Sequence, residues 1–264
     1  MKKAYKLGVI GGGFMAHAIV NGAVSQKFLS AEEIIVSEPD ETRRRGFSDL
    51  GVHVTQNNRE AAEGGEYVLV SVKPQVFPAV AEDLKGAQAV LISIMAGKTK
   101  ASVKRATGAE KVARVMPNLP CSVGAGMAGI DCSDLSERGK AFVHGLFEAV
   151  GAAEEVPETL LDAVTGVSGS GPAYVYLFLL SLIRAGVEQG MTEAQAKKFA
   201  FQTLEGGVKM AKSSDKSLEE LIAAVSSKGG TTIAALDSFR KDDFEGSVSR
   251  AVEAAVRRAK ELSE

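Results

Sequence analysis

The chain has little cysteine, little histidine, no long apolar run and almost no excess of either charge, and each shortage closes off a class of function. Two cysteines, Cys121 and Cys132, without CxxC spacing cannot build a disulfide framework; they favour a reducing compartment and read as small core residues. The three histidines, His17, His53 and His144, nowhere take a spacing such as HExxH, so zinc chemistry has no ligand set. Lys plus Arg number 31 against 33 Asp plus Glu, with no tail of one sign, which argues against a nucleic-acid partner. The longest uninterrupted apolar stretch, Ala173 to Leu180, falls far short of the roughly 20 residues that span a bilayer. The amino-terminal Met1 to Gly8 begins like a charged leader, but Lys6 and several glycines stand where its apolar core belongs. These absences predict a soluble, cytoplasmic chain with neither membrane nor nucleic acid as a partner.

With 45% hydrophobic and 24% charged residues the chain has the composition of an ordered globular protein, and 264 residues at roughly 150 per domain suggest two domains. The first half alternates helical segments with five apolar runs: Leu7 to Ile10, Glu33 to Ser37, Tyr67 to Val72, Ala89 to Ile94 and Lys111 to Met116. Runs without alternation suit strands buried on both faces of a parallel sheet, so residues 1–158 read as a Rossmann-type doubly wound domain. Beyond Val156-Pro157-Glu158 the 3.6-residue period takes over, and residues 159–264 read as an all-α domain. Thr192 with Gln195, and Ser217 with Glu220, have capping-box spacing, and Gly190 sits where a helix should stop. The predicted helix from Ala173 to Gln189 is apolar around most of its circumference. Burial inside its own domain and burial against a second subunit both satisfy it.

Leu7-Gly8-Val9-Ile10 runs into Gly11-Gly12-Gly13-Phe14-Met15-Ala16, a GxGxxA between a predicted strand and helix. Gly11 permits the turn, Gly13 lets backbone approach a pyrophosphate, and Ala16 keeps the helix close to the sheet, so phosphates meet the positive helix end. Glu38 ends the second strand near the roughly 20-residue offset at which an acid takes the ribose 2′-hydroxyl of NAD. Arg43, Arg44 and Arg45 follow at once and could neutralise the 2′-phosphate of NADP, so the residue types leave the cofactor open. Ser71-Val72-Lys73-Pro74 and Ile94-Met95-Ala96-Gly97 end the next two strands, where open α/β sheets place their ligands. In the second half, Ser226-Ser227-Lys228-Gly229-Gly230-Thr231-Thr232 precedes a predicted helix. Such a loop turns backbone N–H groups and hydroxyls toward a small anion, or is an ordinary threonine N-cap after a glycine turn.

Taken together, the Ile10 to Ile19 motif, Ser71-Val72-Lys73-Pro74-Gln75, Ser93 to Gly97, Val115-Met116-Pro117-Asn118, Ser168 to Tyr174 and Ser227 to Leu236 closely resemble pyrroline-5-carboxylate reductase across nearly the whole chain. The resemblance implies reduction of a cyclic imine carboxylate to L-proline by NADP(H), with NAD(H) as the other candidate, in a homodimer or higher homo-oligomer formed through the helical domain. It implies Thr232 as the catalytic hydroxyl and Ser227, Gly229, Gly230 and Thr231 as the carboxylate site. It also implies a cofactor site of Gly11, Gly13, Phe14, Met15, Glu38, Asn58, Ser71, Val72, Lys73, Pro74, Ala96 and Gly97. An imine nitrogen can arrive protonated, so a hydroxyl that orients it suffices, whereas oxidising an alcohol calls for a Lys or His base. After Ser168-Gly169-Ser170-Gly171 no lysine occurs before Lys197, and no histidine follows His144. The chain departs from the family at Lys228, where proline is usual, at Leu119, where threonine is common, and at Phe14, where a polar residue often stands. Those departures keep two alternatives open: a reductase of another cyclic imine, and a dinucleotide-binding regulatory paralogue without turnover.

Overall fold

The computed structural model describes residues 4–262, and the first three residues of the leader-like stretch lie outside them. By contacts the chain divides into two compact units, one of residues up to Pro172 with those from Ala254 on, and one of Ala173–Glu253. The first unit runs β1 (Tyr5–Ile10), α1 (Phe14–Ser25), β2 (Ile34–Ser37), α2 (Glu41–Ser48), β3 (His53–Thr55), α3 (Asn58–Gly64) and β4 (Gly65–Val70). It continues with α4 (Phe77–Leu84), β5 (Val90–Ser93), α5 (Lys100–Thr107), β6 (Val112–Met116), β7 (Gly126–Asp131), α6 (Glu137–Glu148), β8 (Gly151–Glu155) and α7 (Leu161–Val164).

The strands form one sheet in the order β3-β2-β1-β4-β5-β6-β7-β8, parallel throughout except where β7 runs antiparallel to β6. Each face buries its own apolar cluster. Leu7, Val9, Val36, Leu69 and Val115 pack on one side with Ile19, Phe47 and Phe147, while Ile10, Ile35, Val68, Val70 and Leu91 pack on the other with Phe77 and Val103. This two-sided burial is why the strands lack a polar alternation. The chain order departs from its spatial order between β1 and β4, which opens the crevice where ligands of such sheets lie.

After α7 the helix widens into a π-turn, Thr165–Gly169, closed by Ser170 N–H donating to Thr165 O at 2.8 Å, and then continues as α8 (Gly171–Glu188). The remaining helices are α9 (Glu193–Lys212), α10 (Leu218–Ala224), α11 (Thr231–Lys241) and α12 (Phe244–Glu261). Both expected capping boxes form, Thr192 with Gln195 on α9 and Ser217 with Glu220 on α10. Gly190 has the left-handed backbone that ends α8. Within the second unit, α8 presents Tyr176, Leu177 and Leu180 to the outside, and none of its residues is fully buried. The helical run Glu158–Glu188 is also long and apolar enough, by length and composition, to cross a bilayer, which corrects the expectation that no segment reaches that size. Counting only uninterrupted apolar residues hid it, because serine, glycine and threonine break the run without adding charge.

Candidate functional site

The carboxyl end of β1 turns through Gly11, whose φ of 91° is one that side chains resist and whose N–H donates to Ser37 O at 2.9 Å. Gly13 then starts α1 with no side chain capping the helix and no acid in its first turn. A Cβ placed on Gly13 would have no atom within 4 Å, so open space faces the exposed amide end of α1. An uncapped helix start beside open room fits a pyrophosphate. Phe14 flanks that space and is 61% exposed, while Met15 is half-buried.

Beside it, at the end of β2, Glu38 is buried, and its carboxylate is held by two backbone donors. Gly12 N–H reaches Oε2 at 2.7 Å and Asp40 N–H reaches Oε1 at 2.9 Å. The acid thus braces the middle of the glycine loop, a role that its spacing alone did not reveal. The arginines separate in function. Arg44 donates to the carbonyls of Glu38 and Pro39, each at 2.8 Å, whereas Arg43 stands 4.0 Å from Glu38 Oε1 and keeps 62% of its side chain exposed. Asn58 begins α3, accepts from Ser37 Oγ at 2.7 Å and donates to Asp83 Oδ2 at 2.9 Å, tying the end of β2 to α4.

The ends of β4 and β5 complete the same edge. Ser71 N–H donates to Ile10 O at 2.9 Å; Ser71, Val72, Pro74 and Ala96 are half-buried and Lys73 is exposed. Gly97 is covered by the end of the chain, since a Cβ on it would come within 2.7 Å of Leu262 O. Of the twelve cofactor candidates, nine lie at strand ends or in the turns that leave them, Phe14 and Met15 begin α1 and Asn58 begins α3; Asn58 is half-buried and Gly97 is buried.

In the second unit, Gly230 N–H donates to Ser227 O at 2.9 Å, and Gly230 itself is the N-cap of α11, with no side chain bonded to the helix end. The ordinary threonine N-cap is therefore not what forms: Thr231 and Thr232 occupy the first turn, and the α11 amides have no side-chain acceptor. Thr232 is half-buried, while Ser227, Lys228, Gly229 and Thr231 are exposed.

Elsewhere in the first unit a group of ions holds the start of the long helical run. Lys100 Nζ meets Asp131 Oδ1 and Ser133 Oγ, each at 2.6 Å, and Asp131 Oδ2 accepts from Glu158 N–H at 2.6 Å. Glu158 Oε1 accepts from Lys100 N–H at 2.7 Å, and Arg114 reaches Asp162 at 3.2 Å. Burial opposes the charge on Lys100 and on Asp131, but their mutual hydrogen bond and attraction outweigh it. The lysine is held above its usual range and the aspartate below its own. Burial pushes the Cys132 thiol up to about 12 and raises Cys121 too, so both are inert core thiols.

Residues 158–262 match the family described as pyrroline-5-carboxylate reductase dimerisation, and residues 6–97 match that described as NADP oxidoreductase, coenzyme F420-dependent. A pyrroline-5-carboxylate reductase of Synechocystis sp. is 41% identical over 97% of this chain and 98% of its own length. That of Pisum sativum is 34% identical over 100% and 98%. Among solved structures, a Plasmodium falciparum pyrroline carboxylate reductase with NADP bound superposes at a TM-score of 0.89 with 31% identity, covering 100% of both chains. Full-length identity at this level, with both halves matched in order, means that the chain belongs to the pyrroline-5-carboxylate reductase family.

Proposed function

We propose that the protein reduces the cyclic imine of pyrroline-5-carboxylate to L-proline, with NADPH as donor and NADH as the other candidate, in the cytoplasm. The observation that carries this reading is the Ser227–Thr232 loop, which brings hydroxyls and the uncapped amide end of α11 to one place, in a chain with no lysine between Ser168 and Lys197 and no histidine after His144 to act as the base of an alcohol oxidation. That donor set suits a carboxylate and a basic nitrogen.

When bound, the nicotinamide supplies the hydride that the imine carbon receives. Gly11, Gly13, Phe14 and Met15 hold the pyrophosphate at the start of α1. Glu38 borders the adenosine ribose, with Asn58 behind it, and Ser71, Val72, Lys73, Pro74, Ala96 and Gly97 line the nicotinamide side. Ser227 and the backbone of Gly229, Gly230 and Thr231 anchor the substrate carboxylate. Thr232 orients the imine nitrogen and relays its proton, so no strong protein acid is required. In this division of labour residues 1–158 bind the dinucleotide, and residues 159–264 bind substrate and join the subunits. The exposed apolar side of α8 supports the second role, because monomers rarely leave such a surface to water.

Steady-state kinetics of Thr232→Ala test the assignment. Its kcat should fall with little change in the KM for reduced dinucleotide, because the hydroxyl is needed most as charge changes at nitrogen. An unchanged kcat would remove Thr232 from the mechanism.

A further inference from the structure

The Val115-Met116-Pro117-Asn118 and Ser168–Pro172 motifs, which the functional reading leaves unused, meet in the first unit. Asn118 Nδ2 donates to both the carbonyl and the Oγ of Ser168, each at 3.2 Å, and its Oδ1 accepts from Met127 N–H at 2.8 Å. The Ser168 carbonyl needs that donor. Its partner in a regular helix would be the amide of residue 172, which is Pro172 and has no N–H. Asn118 thus supplies from outside the hydrogen bond that the proline removes, and it holds the π-turn against β6, where Gly169 lies so close that a Cβ would stand 2.9 Å from Met116 Cε. Asn118 also opens the turn Leu119–Val123, which packs on α1, the helix that starts at the phosphate cradle.

The sheet order sets where this junction lies. Glu38 on β2 places the adenosine side to one flank of β1, so the nicotinamide side crosses β4 and β5, and β6 is the next strand. At about 4.8 Å per strand, the end of β6 borders a nicotinamide lying over β4 and β5. We infer that Asn118 is a positioning residue for hydride transfer: through the Ser168 carbonyl it fixes the wall beside the nicotinamide ring. The inference rests on the dinucleotide site proposed above and requires no particular imine.

Asn118→Asp keeps the acceptor for Met127 N–H and removes the donor to Ser168. With pyrroline-5-carboxylate its kcat should fall at least about tenfold, since a misplacement of about 1 Å can cost 10²-fold, while the KM for reduced dinucleotide stays within about twofold. Adding Pro172→Ala returns an N–H opposite the Ser168 carbonyl and should recover part of the loss. Independently of turnover, binding of NADPH to Asn118→Asp should alter the fluorescence of the bound nicotinamide at nearly unchanged Kd. That arm decides the inference even if the unmodified protein proves inactive on pyrroline-5-carboxylate, which would count against the proposed substrate alone. Unchanged kcat and fluorescence would overturn it. So would a kcat loss that only tracks a lower melting temperature, or a double variant no better than Asn118→Asp.

Discussion

Replacing Glu38 by Gln removes one negative charge at nearly constant shape and should move cofactor choice toward NADPH. Glu38 is 4% exposed and its carboxylate is fixed by Gly12 and Asp40, so it cannot swing away from an incoming 2′-phosphate. Two unit charges about 4 Å apart repel by about 1 kcal/mol in water and about 4 kcal/mol at the effective dielectric of a protein surface. A phosphate carries about −1.5 to −2 charges, which raises the repulsion, while Arg43 beside the acid offsets part of it. A net penalty of about 1.4 kcal/mol corresponds to a tenfold change, so the NADPH-to-NADH ratio of kcat/KM should rise by about tenfold in Glu38→Gln. The amide keeps one acceptor and opposes the other N–H, which should cost about 1 to 3 kcal/mol of stability. Arg43→Ala should move the ratio the other way with a smaller stability cost. Steady-state kinetics with both cofactors provide the assay. A ratio that stays put in Glu38→Gln would show that the acid only braces the glycine loop and does not face the ribose.

The ion group around Lys100 should matter for stability and not for turnover. Lys100→Ala leaves Asp131 and Asp134 without their shared cation and should cost about 3 to 5 kcal/mol in denaturant unfolding, whereas Lys100→Met with Asp131→Leu should cost much less. Because the Asp131 carboxyl is depressed below 3.8, its contribution is full above that pH and is lost as pH falls through its folded value. Lys100 is raised above 10.5, so its contribution is full below that pH and is lost as pH rises beyond it. Stability from the pair should therefore be flat between those limits, and a loss near neutral pH would refute the geometry. Leu182→Asp on α8, where the native leucine is 39% exposed in the single chain, should dissociate the assembly. Light scattering on the unmodified protein should give a mass above 27.6 kDa, and an active particle of that mass would refute a dimer through α8.

Much of the first unit was legible because its central strands are apolar runs long enough to stand out. β1, β2, β4, β5 and β6 fall within or beside the five predicted segments. The strands that escaped notice are those whose residues carry little signal. β3 is three residues at the sheet edge, β7 (Gly126–Asp131) contains two glycines, and β8 ends in two exposed glutamates. Local spacing also showed the glycine loop and both capping boxes, since each depends on residues within a few positions. What it could not show depends on contacts far along the chain. Glu38 braces Gly12 across 26 positions, Asn118 serves a carbonyl 50 positions away, and Leu262 covers Gly97. The π-turn belongs to this second class, because the Ser168 carbonyl that Pro172 leaves without its helix donor is taken by Asn118, 50 positions away.

The central claim is a hydride transfer to a cyclic imine, and the most direct measurement follows oxidation of reduced nicotinamide by the purified protein with pyrroline-5-carboxylate, beside other cyclic imines, while proline is identified as product. The account predicts turnover with NADPH or NADH, L-proline formed mole for mole, and pyrroline-5-carboxylate preferred over imines that lack the carboxylate. Dinucleotide binding with no oxidation above the uncatalysed background for any imine would contradict it and assign the fold to a paralogue without turnover.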